Sequence, residues 1–328
     1  MKAATYSSYG PPDVLKLADV ARPTPKDNEV LVWVRASSVT SGDARMRGFR
    51  VSGLFWLPLR LWLGLFGPRY PIPGMEFSGR VMAAGAKVTR FKVGEPVFGL
   101  NLFGANAEYA VVPEDAVMAP KPDMLSDAEA AAVPFGALTA LLFLRDLGQV
   151  KSGHHVAVYG ASGNVGVFAV QLAKYFGATV TGVCSAANMA LVKSLGADRV
   201  VDYASHDFTA GGETYDIIFD TVGRTRFAHC KCALKPHGRH LFLDGGLREI
   251  AQTLATALRR GKRVIFGVPS PAQEDLAVIK TLIEAGQITP VIDRTYPLHD
   301  IAEAHRYVDT GRKRGSVVID VDGLAWPD

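Results

Sequence analysis

Val156-Ala-Val-Tyr-Gly-Ala-Ser-Gly-Asn-Val-Gly166 leads straight into Val167-Phe-Ala-Val-Gln-Leu-Ala-Lys174. The first four residues are continuously apolar, as expected of a strand buried on both faces. A run of glycines follows, and beyond Gly166 the apolar residues recur at helical spacing. A strand that turns through bare backbone into a helix presents unpaired amides and a positive helix end to an anion. The spacing Ala161-x-Gly163-x-x-Gly166 fits the dinucleotide-binding fingerprint, with alanine at its first position. Gly163 would let the main chain approach a pyrophosphate, and Gly166 would let helix and strand pack closely. Ala161, Ser162, Gly163, Asn164, Val165 and Gly166 are therefore candidate cofactor contacts. Glycine turns are common, so the weight comes from the strand-turn-helix context.

Working outward, Thr179–Val183, Arg199–Val201, Ile217–Asp220, Arg239–Leu243 and Arg263–Phe266 read as further strands, with helical stretches between them. Such alternation predicts a parallel, doubly wound sheet covered on both faces. At the end of the next strand, where an NAD-selective site places an acid on the ribose, the chain reads Thr181-Gly-Val-Cys-Ser-Ala-Ala-Asn188. No carboxylate is there to repel a 2′-phosphate, so NADPH is the expected cofactor and NADH remains admissible. Ser185 and Asn188 can hydrogen-bond a phosphate, or they can be ordinary helix caps. No Arg or Lys lies in this turn. Asp220-Thr-Val-Gly223, Leu243-Asp-Gly-Gly246 and Phe266-Gly-Val268 each follow a strand. Val222, Leu243, Gly245, Phe266 and Val268 are thus candidates for the ribose and nicotinamide, or plain loop residues.

The rest of the chain has a different texture. Val30–Arg35, Gly79–Gly85, Gly94–Gly99 and Glu108–Val112 are short strands punctuated by Gly and Pro, the pattern of a partly closed antiparallel barrel. Ser126 and Glu129 form a capping-box start to an Ala-rich helical region reaching about Leu147. The tail returns to the first texture, with Asp293–Tyr296 extended, Ile301–Thr310 helical and Ser316–Val321 a strand. The expected organisation is α/β: a β-barrel domain from residues 1–123 and 269–328, and a dinucleotide-binding domain from 124–268. A length of 328 residues suits two domains. The net charge of +4, spread along the chain, excludes a nucleic-acid footprint. Cys184, Cys230 and Cys232 lack the spacing of a redox pair or a structural zinc site. With no apolar stretch in MKAATYSSYG, a cytoplasmic location is expected.

Residues 51–70 (VSGLFWLPLRLWLGLFGPRY) are apolar over almost the length of a bilayer span. Pro58, Arg60 and the glycines interrupt them, and a charge at the bilayer centre costs about 3 kcal/mol. The first expectation is a buried helical lid over an apolar substrate pocket; the second is peripheral membrane contact.

Taken together, the chain resembles the medium-chain dehydrogenase/reductase superfamily, in its zinc-free quinone oxidoreductase-like branch. The resemblance covers almost the whole length. It rests on Tyr9-Gly-Pro-Pro-Asp-Val-Leu15, Pro71-Ile-Pro-Gly-Met-Glu-Phe-Ser-Gly79, Val88-Thr-Arg-Phe-Lys-Val-Gly94 and Ala107-Glu-Tyr-Ala110. It continues through Ala131-Ala-Val-Pro-Phe-Gly-Ala-Leu-Thr-Ala140, the glycine loop, Ser194-Leu-Gly-Ala-Asp198 and Asp202-Tyr203. It implies a GroES-like catalytic domain, a Rossmann domain and a homodimer joined through edge strands. Zinc-dependent relatives place Cys where this chain has Thr40 and His where it has Met75, so no metal site is expected. Glu76 remains, read as structural. The resemblance also places Thr40 and Asp43 on the substrate side, Thr139 near the nicotinamide, and Tyr203 at the adenosine phosphate. Thr40 stands where quinone reductases often have Asn, and Asn188 where a phosphate-binding Lys is common. Thr40 and Thr139 equally suit satisfying buried backbone, and Asp43 suits capping a helix at Ala44.

The expected activity is zinc-independent, NAD(P)H-dependent hydride transfer to a quinone-like or conjugated carbonyl acceptor. A quinol anion can take its proton from solvent, whereas an enone needs a donor or an oxyanion partner. No Ser/His/Asp arrangement is evident, and His154-His155 reads as solvent-exposed. A 2-alkenal or enone reductase shares every motif above. A dinucleotide-sensing protein without turnover is the alternative of a different class.

Overall fold

A computed structural model describes residues 1–51, 53–268 and 270–321, with the side chain of Leu54 also outside the description. Ser52, the proposed boundary residue 269 and the tail 322–328 therefore lie outside the described residues. The chain forms two compact units: Met1–Phe135 with Ala272–Glu284 and Pro290–Asp328, and Gly136–Pro271 with Ala285–Thr289.

The first unit opens with strands β1 (Lys2–Thr5), β2 (Lys16–Asp19) and β3 (Glu29–Ser38). Helices α1 (Ser41–Arg47) and α2 (Trp56–Leu63) follow, then β4 (Glu76–Ala84), β5 (Pro96–Leu100), β6 (Tyr109–Pro113), β7 (Met118–Pro120) and α3 (Asp127–Ala131). Strand β3 organises the sheet. It pairs antiparallel with β4 on one edge and with β6 along its first half on the other. Val30, Val32, Val34, Phe77, Val81, Val97 and Val112 point into one closed apolar core. Each such side chain stabilises the unit by about 1.5–3 kcal/mol.

Helix α4 (Pro134–Leu142) runs into a wider π-helical turn at Phe143–Leu147, where one continuous Ala-rich helix was expected. Most of α4 lies in the second unit, which continues with β8 (His155–Tyr159), α5 (Asn164–Tyr175), β9 (Thr179–Cys184), α6 (Met189–Ser194) and β10 (Arg199–Asp202). It is completed by β11 (Tyr215–Asp220), α7 (Phe227–Cys230), β12 (Leu234–Phe242), α8 (Leu247–Ala257) and β13 (Arg263–Phe266). The six strands are all parallel, in the order β10-β9-β8-β11-β12-β13. Numbered from β8, that is 3-2-1-4-5-6, the Rossmann order. Val156, Ala157 and Val158 are fully buried, as a strand covered on both faces requires.

The chain then returns to the first unit through α9 (Gln273–Glu284), β14 (Ile292–Pro297), α10 (Ile301–Asp309) and β15 (Ser316–Asp320). Strand β15 pairs with the second half of β3, so both chain ends build one seven-stranded sheet.

Two local expectations need correction. The segment 51–70 does contain a helix, α2, but it is not a buried lid. Phe55, Trp56, Leu57, Leu61, Trp62 and Leu65 are exposed, and Phe66 is 95% exposed. Pro58 is tolerated because it occupies the first turn, and Arg60 lies over the rings of Tyr9 at 4.2 Å and Phe49 at 4.7 Å. Among the described residues no helix is long and apolar enough to cross a membrane. His155 does not precede a strand but begins one, and both histidines are half-buried.

Candidate functional site

Parallel strands end on one edge of their sheet, so the second unit gathers there every turn that follows a strand. Ala161 to Gly166 follow β8, Ser185 and Asn188 follow β9, and Tyr203 follows β10. Val222 follows β11, Leu243 and Gly245 follow β12, and Phe266 and Val268 close β13. The glycine loop sits between β8 and β11, where the strand order reverses and doubly wound folds hold their ligands.

Three glycines shape the loop in different ways. Gly160 turns the chain with φ +82°, and a Cβ there would lie 2.6 Å from Thr221 Oγ1. Sequence reasoning passed over it because the fingerprint register starts one residue later. Gly166 has no room at all, since a Cβ would lie 2.1 Å from the Gly160 carbonyl oxygen. Gly163 is the N-cap of α5 and offers no side chain to the helix amides. A Cβ there would meet nothing nearer than the Gly160 oxygen at 3.5 Å, so the space beyond it is open. An uncapped twelve-residue helix behind bare backbone fits a pyrophosphate.

The flanking residues brace this cradle. Asn188 Nδ2 donates to Ser162 Oγ at 2.9 Å, tying the turn after β9 to the glycine loop. Neither Ser185 nor Asn188 caps a helix with its side chain, which corrects that reading. Asn164 is buried against Gly136 of α4, where any Cβ would fall 2.2 Å from its Oδ1. Thr139, three residues further along α4, is buried in the same unit. The Asp220 carboxylate, fully buried, accepts from the amides of Val222, Gly223 and Thr225 and from Thr225 Oγ1 at 2.6 Å.

Thr40 and Asp43 belong to the first unit, where they form a reciprocal capping box at the start of α1. Asp43 therefore sits at the third helical position and Thr40 is the cap, not Asp43. The Thr40 hydroxyl donates to Asp43 Oδ2 at 2.6 Å and accepts from the Asp43 amide at 3.0 Å. Burial pushes the Asp43 carboxyl up to about 6, against hydrogen bonds from Thr40 and from the Gly74 amide. Glu76 is also fully buried. It accepts from Ser38 Oγ and from the Phe135 amide, and burial lifts it to about 7, assisted by the negative Asp43. The half-buried Lys313 is pushed down to about 8 by loss of hydration, with Glu76, Asp293 and Asp43 opposing. Nothing in the linear spacing pointed to Lys313.

Thr40 Oγ1 lies 3.9 Å from Met75 Sδ, so the two positions that carry Cys and His in zinc-dependent relatives are adjacent here. A hydroxyl committed to Asp43 and a thioether do not suit a zinc ion. Among the described residues no group of three His, Cys, Asp or Glu side chains could hold a metal.

Comparison with known proteins agrees with this architecture. The family model "Alcohol dehydrogenase GroES-like domain" matches residues 26–123, and "Zinc-binding dehydrogenase" matches residues 195–319. A 2-methylene-furan-3-one reductase of Solanum lycopersicum is 34% identical over 97% of this chain and 79% of its own. An NADPH-dependent alkenal/one oxidoreductase, chloroplastic, of Arabidopsis thaliana is 31% identical over 97% of this chain and 79% of its own. The solved structure of a quinone oxidoreductase from Coxiella burnetii superposes with a TM-score of 0.87 at 30% identity. It covers 98% of this chain and 99% of that one. With a GroES-like unit, a Rossmann unit and no zinc ligands at the two diagnostic positions, the chain belongs to the medium-chain dehydrogenase/reductase superfamily of oxidoreductases, in its zinc-free, quinone oxidoreductase-like branch.

Proposed function

We propose that this protein is a zinc-independent, NADPH-dependent reductase of quinone-like or conjugated carbonyl acceptors. The observation that carries the proposal is the open space beyond Gly163 at the uncapped N-terminus of α5. In this reading residues 124–268 hold the dinucleotide, and residues 1–123 and 269–328 hold the acceptor. Ala161 to Gly166 take the pyrophosphate, while Ser185, Asn188 and Tyr203 face the adenosine phosphate. Val222, Leu243, Gly245, Phe266, Val268 and Thr139 flank the ribose and nicotinamide. When bound, the cofactor supplies a hydride; the chain's task is to orient the acceptor and exclude water. The relatives named for furanone, alkenal and quinone chemistry fit this acceptor class.

Within that class, the carbon–carbon double-bond reductase reading gains from one feature. Glu76 is a buried carboxyl lifted to about 7, so it is part-protonated near neutral pH beside an Asp43 that, at about 6, is mostly ionised. An enone requires such a proton, whereas a quinol anion can take one from water. We place the enzyme in the cytoplasm as a homodimer, with the apolar side chains of α2 that face solvent as its peripheral membrane contact. The free thiols Cys184, Cys230 and Cys232 fit a reducing compartment.

The test is fluorescence titration with NADPH and NADH, followed by steady-state assays with 1,4-quinones and 2-alkenals. Saturable NADPH binding with turnover of either panel is expected. Binding without turnover of any acceptor would instead favour a dinucleotide sensor, and absence of binding would end the enzyme proposal.

A further inference from the structure

Helix α2 is anchored along one side and bare along the other. On the anchored side Leu63 is buried, and its carbonyl accepts from the Tyr9 hydroxyl at 2.9 Å and from the Arg69 amide at 2.7 Å. The bare side carries Trp56, Leu57, Leu61, Trp62, Leu65 and Phe66, all exposed. The turn beyond the helix is held in place, because the Gly64 amide donates to the Arg60 carbonyl at 2.9 Å and Arg60 Nε donates to the Leu65 carbonyl at 2.9 Å. Beside the patch, Tyr70 stacks on Phe103 with ring centroids 4.5 Å apart, and the Trp62 ring lies 6.3 Å from the same phenylalanine. Half-exposed Trp and Tyr rings flanking aliphatic side chains suit the boundary between lipid headgroups and acyl chains.

The charge around this patch has one sign. From Ala44 to Met75 the chain carries Arg45, Arg47, Arg50, Arg60 and Arg69, and not one Asp or Glu. Arg60 lays its guanidinium over the Tyr9 and Phe49 rings and so keeps its charge beside the apolar face. Arg69 is exposed, and among the described residues no acid pairs with it or with Arg60. The cationic rim continues onto α10. Phe49 packs edge-on against Trp56, its neighbour Arg50 pairs with Asp309, and the exposed Arg312 follows three residues later. Asp309 answers both Arg47 and Arg50, so this corner stays positive.

We propose that this surface docks on anionic bilayers, with Trp62 and Phe66 entering the acyl boundary and Arg69 and Arg312 meeting the phosphate or carboxylate headgroups. The inference rests on the reading of α2 as the membrane contact, and adds the class of lipid that the contact selects. Apolar insertion alone is indifferent to headgroup charge; a rim of arginines without acids is not. A second copy of the chain is the poorer occupant, because a two-fold contact would set this cationic rim against itself.

The test is co-sedimentation of the intact protein with vesicles of phosphatidylcholine alone and of phosphatidylcholine mixed equally with phosphatidylglycerol, at low and high salt. Wild type is expected to bind the mixed vesicles at least about 10-fold more tightly than the neutral ones, and to lose that margin at high salt. Arg69→Glu exchanges a cation for an anion and should weaken binding to mixed vesicles about 30-fold, leaving neutral vesicles unaffected. Trp62→Ser combined with Phe66→Ser should lose at least about 100-fold on both. Melting temperature and NADPH affinity should stay at wild-type values in each variant, which assigns the losses to the surface and not the fold. Equal binding of neutral and mixed vesicles, or an Arg69→Glu protein that binds like wild type, would overturn the lipid selectivity while leaving the membrane contact standing. Binding to neither vesicle would overturn both, and self-association that disappears in the Trp62/Phe66 variant would then give the patch to a second copy.

Discussion

Replacing Gly163 by valine separates binding from folding better than any other change in the loop. Its φ of −80° and ψ of 173° are open to every L-residue, and its Cβ would make only an ordinary contact, 3.5 Å from the Gly160 oxygen. The cost to the fold is the loss of a tolerated N-cap residue, about 1 kcal/mol. For units of this size that lowers the melting temperature by roughly 2–4 °C. The cost to the ligand is larger, because the valine branches fill the space a pyrophosphate needs above the first turn of α5. Loss of two charge-assisted hydrogen bonds, at about 1.5 kcal/mol each, removes ~3 kcal/mol, or about 100-fold in Kd. Fluorescence titration with NADPH reads the affinity, and calorimetry reads the fold. A Gly163→Val protein that melts within a few degrees of wild type and binds NADPH equally well would refute the cradle.

Two further outcomes follow from buried charges. Glu76 titrates near its ordinary 4.5 when unfolded and at about 7 when folded, so the folded state holds the extra proton between those values. Its contribution to stability is therefore full below about pH 4.5 and declines as pH rises through 7, by ~1.4 kcal/mol per unit. Denaturant unfolding of wild type against Glu76→Gln should show the difference shifting by roughly 2–3 kcal/mol between pH 5 and 7.5; a constant difference would contradict the burial argument. Arg47 is buried, with Nε and Nη1 lacking partners among the described residues, and its Nη2 pairs with Asp309 at 2.6 Å. Asp309→Ala strands that guanidinium and should cost about 3–5 kcal/mol in unfolding free energy; a loss under about 1 kcal/mol would mean the pair contributes little.

The glycine loop was legible because strand, turn and helix are contiguous and each has its own local signature. Gly160 escaped because its constraint comes from Thr221 and Val222, some sixty residues away, and no local pattern records that approach. Thr40 and Asp43 carried a readable capping-box spacing, but weighing Asp43 alone as the cap shifted the helix start by three residues. Hydropathy correctly marked 51–70 as unusual and could not say which way its side chains face. Apolar content measures the cost of meeting water; only packing partners decide whether that cost is avoided, and α2 has few on its outer side.

Gly136 and Asn164 lie twenty-eight positions apart, yet they occupy one volume: the carboxamide sits where the glycine lacks a side chain. Neither can drift alone. An alanine at 136 is admissible only if 164 shortens, and this loop with its Asn164 fits only a helix that has glycine at the facing position. The two positions are heritable as a pair, and an engineer who ports the phosphate loop by itself would inherit a collision in place of a cofactor site.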